Sequence, residues 1–220
     1  MKKKSIGNKL LNYFIKTFNG MAYGLFATLI IGVIIDQLGT ILSIKELNEL
    51  GSILKGFMGI GIGIGVAWSL GLSGLMLISG AIASGIAVQI SNDPMTAYIT
   101  AILSIEGLRL IMRKKTPLDI ILIPLISALI AFGVANLIGD RIAIVMKLIG
   151  DFVNNATNYQ PFFMGIVISV VMGMALTAPI SSAAIAISIH LSGLAGGAGV
   201  VGCSVQMIGF AVMSRKDNNI

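Results

Sequence analysis

The sequence predicts an all-α polytopic membrane protein of about eight transmembrane or re-entrant helical segments, and three observations carry that expectation. Hydrophobic residues fill 56% of the 220 positions and charged residues only 11%, against roughly 25% charged in soluble domains. The mean hydropathy is +0.96, which excludes a water-soluble globular domain. Charge is also segregated: none occurs between Asp151 and Arg215, whereas Lys2, Lys3, Lys4, Lys9 and Lys16 crowd the start. Since a span needs about 20 apolar residues, the chain has room for roughly eight.

Residues 1–19 place Leu10, Leu11, Phe14, Ile15 and Phe18 at helical spacing among Lys9, Lys16, Asn8 and Asn12, the pattern of an interfacial amphipathic helix. The opening Met-Lys-Lys-Lys is like a signal-peptide start. The apolar run from Gly20 to Ile35 has no convincing cleavage site, so it is read as a retained first span, reaching Leu42 past Asp36 and Gln37. Residues 43–55, with Lys45, Glu46, Glu49 and Lys55, are too charged for lipid. Two further spans, 56–70 and 73–90, meet at the Gly71-Leu72 joint and end at the turn signal Ser91-Asn92-Asp93-Pro94. A fourth, 95–112, carries Glu106 and Arg109 and closes on Arg113, Lys114 and Lys115.

The second half follows the same plan, with a fifth span over 118–138, an amphipathic stretch over 140–158 and a sixth span over 161–178. Residues 181–212 supply either two short spans or one span and a re-entrant hairpin broken at Gly193 to Gly199. One integral membrane domain is expected, divided as 1–19, 20–115 and 116–220. The positive-inside rule puts the basic start, Arg113 to Lys115 and Arg215-Lys216 in the cytoplasm, which four plus four crossings satisfy. A weak repeat supports that count. Ile31-Gly32-Val33 and a polar stretch lead to Phe57-Met58-Gly59-Ile60, and Phe132-Gly133-Val134 and a polar stretch lead to Phe163-Met164-Gly165-Ile166. The halves would be parallel repeats, the alternative being chance likeness among Gly-rich apolar runs.

Few residues offer chemistry. The net charge of +6 sits at segment ends rather than on an aromatic-laced face, so no nucleic acid partner is expected. Gly59, Gly61, Gly63 and Gly65 form two overlapping Gly-x-x-x-Gly pairs suited to close helix packing within or between subunits, which makes a homo-oligomer an open alternative. Gly197 to Gly202 matches the dinucleotide pattern only formally, because no strand precedes it and no acid follows. Glu106 is the candidate ligand for substrate hydroxyls, unless it is a snorkelling ion pair with Arg109 or Arg113. Thr177-Ala178-Pro179-Ile180-Ser181-Ser182 reads as a broken helix presenting Ser181 and Ser182 to a substrate, or as an ordinary turn. Gln206 either binds substrate or holds two helices together. His190, the sole histidine, either bonds a substrate hydroxyl or is structural. The single cysteine, Cys203, gives no metal or redox pair. Neither a catalytic set, a metal site nor a cofactor is expected.

Several stretches resemble the EIIC-like sugar permeases of the bacterial phosphotransferase system. They are Gly20 to Ala27, Gln160 to Ile166, Pro179 to Ile187, Leu191 to Ala198, Val201-Gly202-Cys203 and Gln206 to Ser214. The likeness is most specific from Gln160 onward. It implies a multi-pass protein of the bacterial inner membrane that moves a sugar inward for phosphorylation by a separate IIB-type subunit, with soluble IIA/IIB-type phosphocarriers as partners. Members of the family extend beyond the equivalent of Ser214, whereas this chain ends at Ile220. The alternatives are a phosphotransfer-independent transporter of a small solute and a truncated, noncatalytic membrane scaffold.

Overall fold

The structure is a computed structural model and describes residues 6–112, 117–177 and 182–217. Every regular element among them is helical, as expected where lipid offers the backbone no hydrogen-bond partner. The chain divides into two compact units, Met1–Ala143 and Ile144–Ile220.

The first unit opens with α1 (Ile6–Leu25), a π-helical turn (Phe26–Ile30) and α2 (Ile31–Leu42). Together they form one apolar helix of 36 residues, Gly7–Leu42. The interfacial helix and first span expected from sequence are therefore not separated by a break. The helix runs on because one face of it is packed, with Thr17, Met21 and Leu25 all buried. After a left-handed turn at Ser43 (φ 56°), α3 (Lys45–Gly56) returns along α2, and α4 (Met58–Ser69) continues along α1 after a bend of 47°. The remaining helices of this unit are α5 (Leu75–Ser91), α6 (Pro94–Ile111) and α7 (Asp119–Val134), followed by a second π turn, Ala135–Gly139. Asp93 caps α6 by accepting the Thr96 N–H at 2.7 Å, and Pro94 occupies the first turn.

The alternating glycines of α4 serve two neighbours at once. Successive residues are 100° apart on a helix, so Gly61 and Gly65 share one face while Gly59 and Gly63 share another. A Cβ on Gly65 would overlap the Gly20 carbonyl and one on Gly61 would lie 2.8 Å from the Gly24 carbonyl, both on α1. A Cβ on Gly63 would overlap the Gly80 carbonyl, and one on Gly59 would lie 2.7 Å from the Ser84 carbonyl, both on α5. The order of these pairs makes α1 and α5 each antiparallel to α4. With no hydrophobic force between helices in lipid, such close backbone approach supplies the packing.

Composition is turned outside in. On α6, Thr96, Ala97, Thr100, Ala101 and Ser104 are fully buried, whereas on α7 Ile121, Leu125, Leu129 and Phe132 are 52–65% exposed. A surface of large apolar side chains over a core of small and hydroxyl residues suits a protein whose solvent is lipid.

The second unit contains most of α8 (Asp140–Tyr159), then α9 (Pro161–Thr177), α10 (Ser182–Ser188) and α11 (Gly193–Asp217). Ile168, Met172 and Ala195 form its buried core. Helices α9 and α11 run parallel: Ser169 Oγ donates to the Ala198 carbonyl at 2.7 Å, and Gly173 lies against Gly202 and Gln206. The break expected at Gly193 to Gly199 falls instead at His190 to Ser192, and these glycines lie inside α11. Glycine is tolerated there because Gly199 and Gly202 pack against Met172 and Ser169. The formal dinucleotide pattern is thus a helix-packing face.

Among the described residues, three helices are long and apolar enough to cross a membrane, Gly7–Leu42, Asp119–Tyr159 and Gly193–Met213, and the bent pair α3 and α4 makes a fourth if counted as one span. Leu75–Ser91 and Pro161–Ala175 are apolar but shorter.

Candidate functional site

Glu106 sits near the C-terminal end of α6, where the chain brings it against α1. Its Oε1 accepts from Tyr13 Oη at 2.7 Å and from Arg109 Nη1 at 2.6 Å. The side chains of Glu106 and Arg109 are 40% and 36% exposed. The pairing with Arg109 matches the three-residue spacing, and the cation lies in the last turn of α6, where the helix dipole favours it. Behind this group, Thr17 Oγ1 and Tyr98 Oη lie 2.8 Å apart, and the Tyr98 ring meets Phe18 edge-on at 5.6 Å. Tyr13 and Thr17 were not apparent as site residues from sequence. The available signal was their four-residue spacing, which marks a polar stripe beside the apolar face of α1.

In the second unit, Ser182 opens α10 and is buried, and its Oγ accepts from Cys203 Sγ at 3.4 Å. The same thiol faces the Met172 carbonyl at 3.8 Å. These residues line a cavity of about 220 Å³ that also touches Leu191, Gly199 and Met207. Gln206, one turn beyond Cys203, faces Gly173 on α9. His190 occupies the turn between α10 and α11 with φ 53°, a left-handed conformation uncommon for a residue with a side chain. Asn154 of α8 holds that turn from both sides, donating to the His190 carbonyl and accepting from the Ser192 N–H, each at 3.1 Å. Ser181 lies outside the described residues, as do Pro179, Ile180 and Arg113 to Lys115. The geometry therefore brings Ser182 beside Cys203, one turn from Gln206, and places His190 at the neighbouring turn. Glu106 belongs to the other unit.

Helices with an outward apolar surface and sparse polar side chains have the make-up of a membrane protein. Residues 15–220 match the family described as the phosphotransferase system, EIIC. The chain belongs to that family. No match is found among curated proteins or among solved structures. This EIIC protein is a sugar permease component of a phosphotransferase system, a membrane protein with a sugar as substrate and phosphotransferase proteins as partners. The match does not favour the phosphotransfer-independent carrier or the scaffold.

Within the EIIC protein the most specific stretches of resemblance fall on structural contacts. Leu191 to Ala198 covers the Asn154-clamped turn and the first residues of α11, and Val201-Gly202-Cys203 covers the α9 contact and the thiol facing Ser182. Cys203 is partly buried among apolar residues and hydroxyls. A reactive thiolate needs an electropositive, accessible setting, and the cavity at Cys203 is lined by no lysine or arginine.

Proposed function

We propose that this EIIC protein translocates a sugar across the bacterial inner membrane and presents it to a separate IIB-type subunit for phosphorylation. The observation that carries the reading is the family match over residues 15–220, which reaches into both compact units. The setting of Cys203 supports a phosphoryl donor on another protein. Glu106, Gln206, Ser181, Ser182 and His190 are the proposed contacts to sugar hydroxyls. Both bonds that Glu106 makes among the described residues fall on Oε1, so Oε2 is the oxygen assigned to a hydroxyl. The protein's task is then position and orientation, holding the sugar so that its reacting oxygen meets the donor.

Both termini are assigned to the cytoplasm, with eight crossings arranged as two parallel halves. The bond between Tyr13 and Glu106 supports this for the first half, because residues near the basic start and near Arg113 to Lys115 then lie at one end. Two turns are alike without being equivalent in that repeat, since the eight-crossing order puts the first at the cytoplasmic end and the second at the outer end. Gly71 (φ 75°) and Gly74 (φ 59°) join α4 to α5 across Leu72-Ser73, and His190 (φ 53°) and Gly193 (φ 52°) join α10 to α11 across Leu191-Ser192. In each, the leucine N–H returns to an alanine carbonyl five residues back at 3.0 Å.

The test is uptake of a panel of labelled sugars into vesicles holding the purified protein, with and without phosphoenolpyruvate and soluble phosphocarriers. Sugar phosphate should accumulate only with the donor system, and Glu106→Gln should weaken sugar binding about tenfold, the loss of one charge-assisted hydrogen bond. Donor-independent accumulation of free sugar would overturn the coupling, and unchanged affinity in folded Glu106→Gln protein would overturn that residue's role.

A further inference from the structure

Beside the contact of α1 and α4 lie two cavities that meet at one pair of rings. The first, about 450 Å³, is bordered by Lys16, Asn19, Tyr23, Trp68 and Ser69. The second, about 600 Å³, runs from Tyr23 and Trp68 along Gly24, Ala27, Thr28 and Gly61. The Tyr23 and Trp68 rings stand edge to face at 5.9 Å and border both. From this we infer that the two cavities together hold one anionic phospholipid, its phosphate on Lys16 and an acyl chain in the groove.

The polar end fits an anion. Lys16 is exposed, makes no hydrogen bond or ion pair among the described residues, and has no carboxylate beside it in the cavity lining. Ser69 donates its hydroxyl to the Val66 carbonyl at 2.8 Å, which leaves the lysine as the group that binds charge. The Tyr23 and Trp68 rings form the wall common to both cavities, where the polar end passes into the apolar one.

The apolar end fits a chain and not a sugar. Its floor is the glycine backbone of α1 and α4, and beyond the two rings the one side-chain hydroxyl in its lining, Thr28 Oγ1, is committed to the Gly24 carbonyl at 2.7 Å. Nothing there meets the hydroxyls of a polar solute, whereas a hydrocarbon chain needs no partner. Twelve residues separate Lys16 from Thr28 on one helix, a rise of about 18 Å. That is close to one leaflet's share of a hydrocarbon core about 30 Å thick.

Trp68 is the sole tryptophan, so its fluorescence reports on this site alone. The purified full chain is placed in vesicles of unbrominated phosphatidylcholine carrying a small fraction of either brominated phosphatidylglycerol or brominated phosphatidylcholine. Quenching should favour the anionic lipid about fivefold, the preference one lysine gains at an anionic surface. Lys16→Gln should abolish the preference and Lys16→Arg should keep it. Ala27→Phe, which fills the exposed groove without touching the lysine, should also remove most of it. Equal quenching by both lipids in the wild type, or a full preference surviving either Lys16→Gln or Ala27→Phe, would overturn the assignment.

Discussion

Asp36 and Lys55 are 19 positions apart in sequence and 2.7 Å apart in space. The carboxylate also accepts from Asn48 Nδ2 at 2.8 Å, and that amide reaches the Asp36 carbonyl at 2.9 Å and Thr40 Oγ1 at 3.0 Å. The group pins α3 to α2 where both helices carry their charge. With side chains 34% and 28% exposed, the pair contributes a small, salt-screened coupling, and a double-mutant cycle over Asp36→Asn and Lys55→Met in detergent should return a favourable coupling that shrinks as salt is raised. Zero coupling would mean that Asn48 and the close contacts at Gly32, Gly39 and Gly51 hold the helices without the ion pair. The sequence showed Lys55 only as one charge of a stretch too polar for lipid, because periodicity sees only neighbours on one helix. For the same reason the bond from Arg109 to Glu106 was legible at three residues' spacing, whereas Tyr13, 93 positions away, was not. His190 was singled out for its ring. Its backbone is equally distinctive, since it adopts the left-handed geometry that Gly71 supplies in the α4–α5 turn.

At the scale of elements, the glycines of α4 separate packing from mere flexibility. Gly65→Ala puts a methyl group into the Gly20 carbonyl, backbone against backbone, and should destabilise the protein by about 1–3 kcal/mol. Gly133 on α7 has open space where a Cβ would stand, so Gly133→Ala should be neutral or stabilise by up to about 1 kcal/mol through its helix propensity. Thermal unfolding in detergent compares the two, and equal shifts would overturn the idea that α1 and α4 are held by glycine contact. The Gly-x-x-x-Gly spacing announced close packing, but not that one pair serves α1 and the other α5. Which face meets which helix is a property of tertiary packing. The π turns at Phe26–Ile30 and Ala135–Gly139 were likewise illegible. Polar residues beyond them suggested an end to each span, yet the first helix continues because α2 has α3 to cover its polar face. The short α10 and long α11 place a turn at His190 to Ser192 within residues 181–212, where hydropathy gave no sign of it, since a run of apolar residues looks the same whether the chain turns within it or not.

For the whole molecule, the segregation of charge made an all-helical membrane protein legible before any element was placed. The number of crossings was less so, because several apolar helices are shorter than a bilayer is thick. In the first unit, packing now gives the proposed orientation a ruler. The cluster of Tyr13, Glu106 and Arg109 and the cluster of Asp36, Asn48 and Lys55 both contain a residue of the same long helix. The interval from residue 13 to residue 36 corresponds to about 35 Å along its axis, and a hydrocarbon core about 30 Å thick fits between them. Such clusters at the two edges keep their charge out of the core and leave the charged first half of α3 outside it. With the basic start in the cytoplasm, α3 then faces the outside of the cell, and Leu118, preceding α7, faces the inside. Replacing Cys203 with serine gives a background free of cysteine for Glu49→Cys and Leu118→Cys, both at exposed positions. A membrane-impermeant maleimide should label the first in intact cells and the second only after permeabilisation. The opposite order would invert the assigned topology, and labelling of both in intact cells would mean that the two clusters do not lie on opposite sides of the membrane.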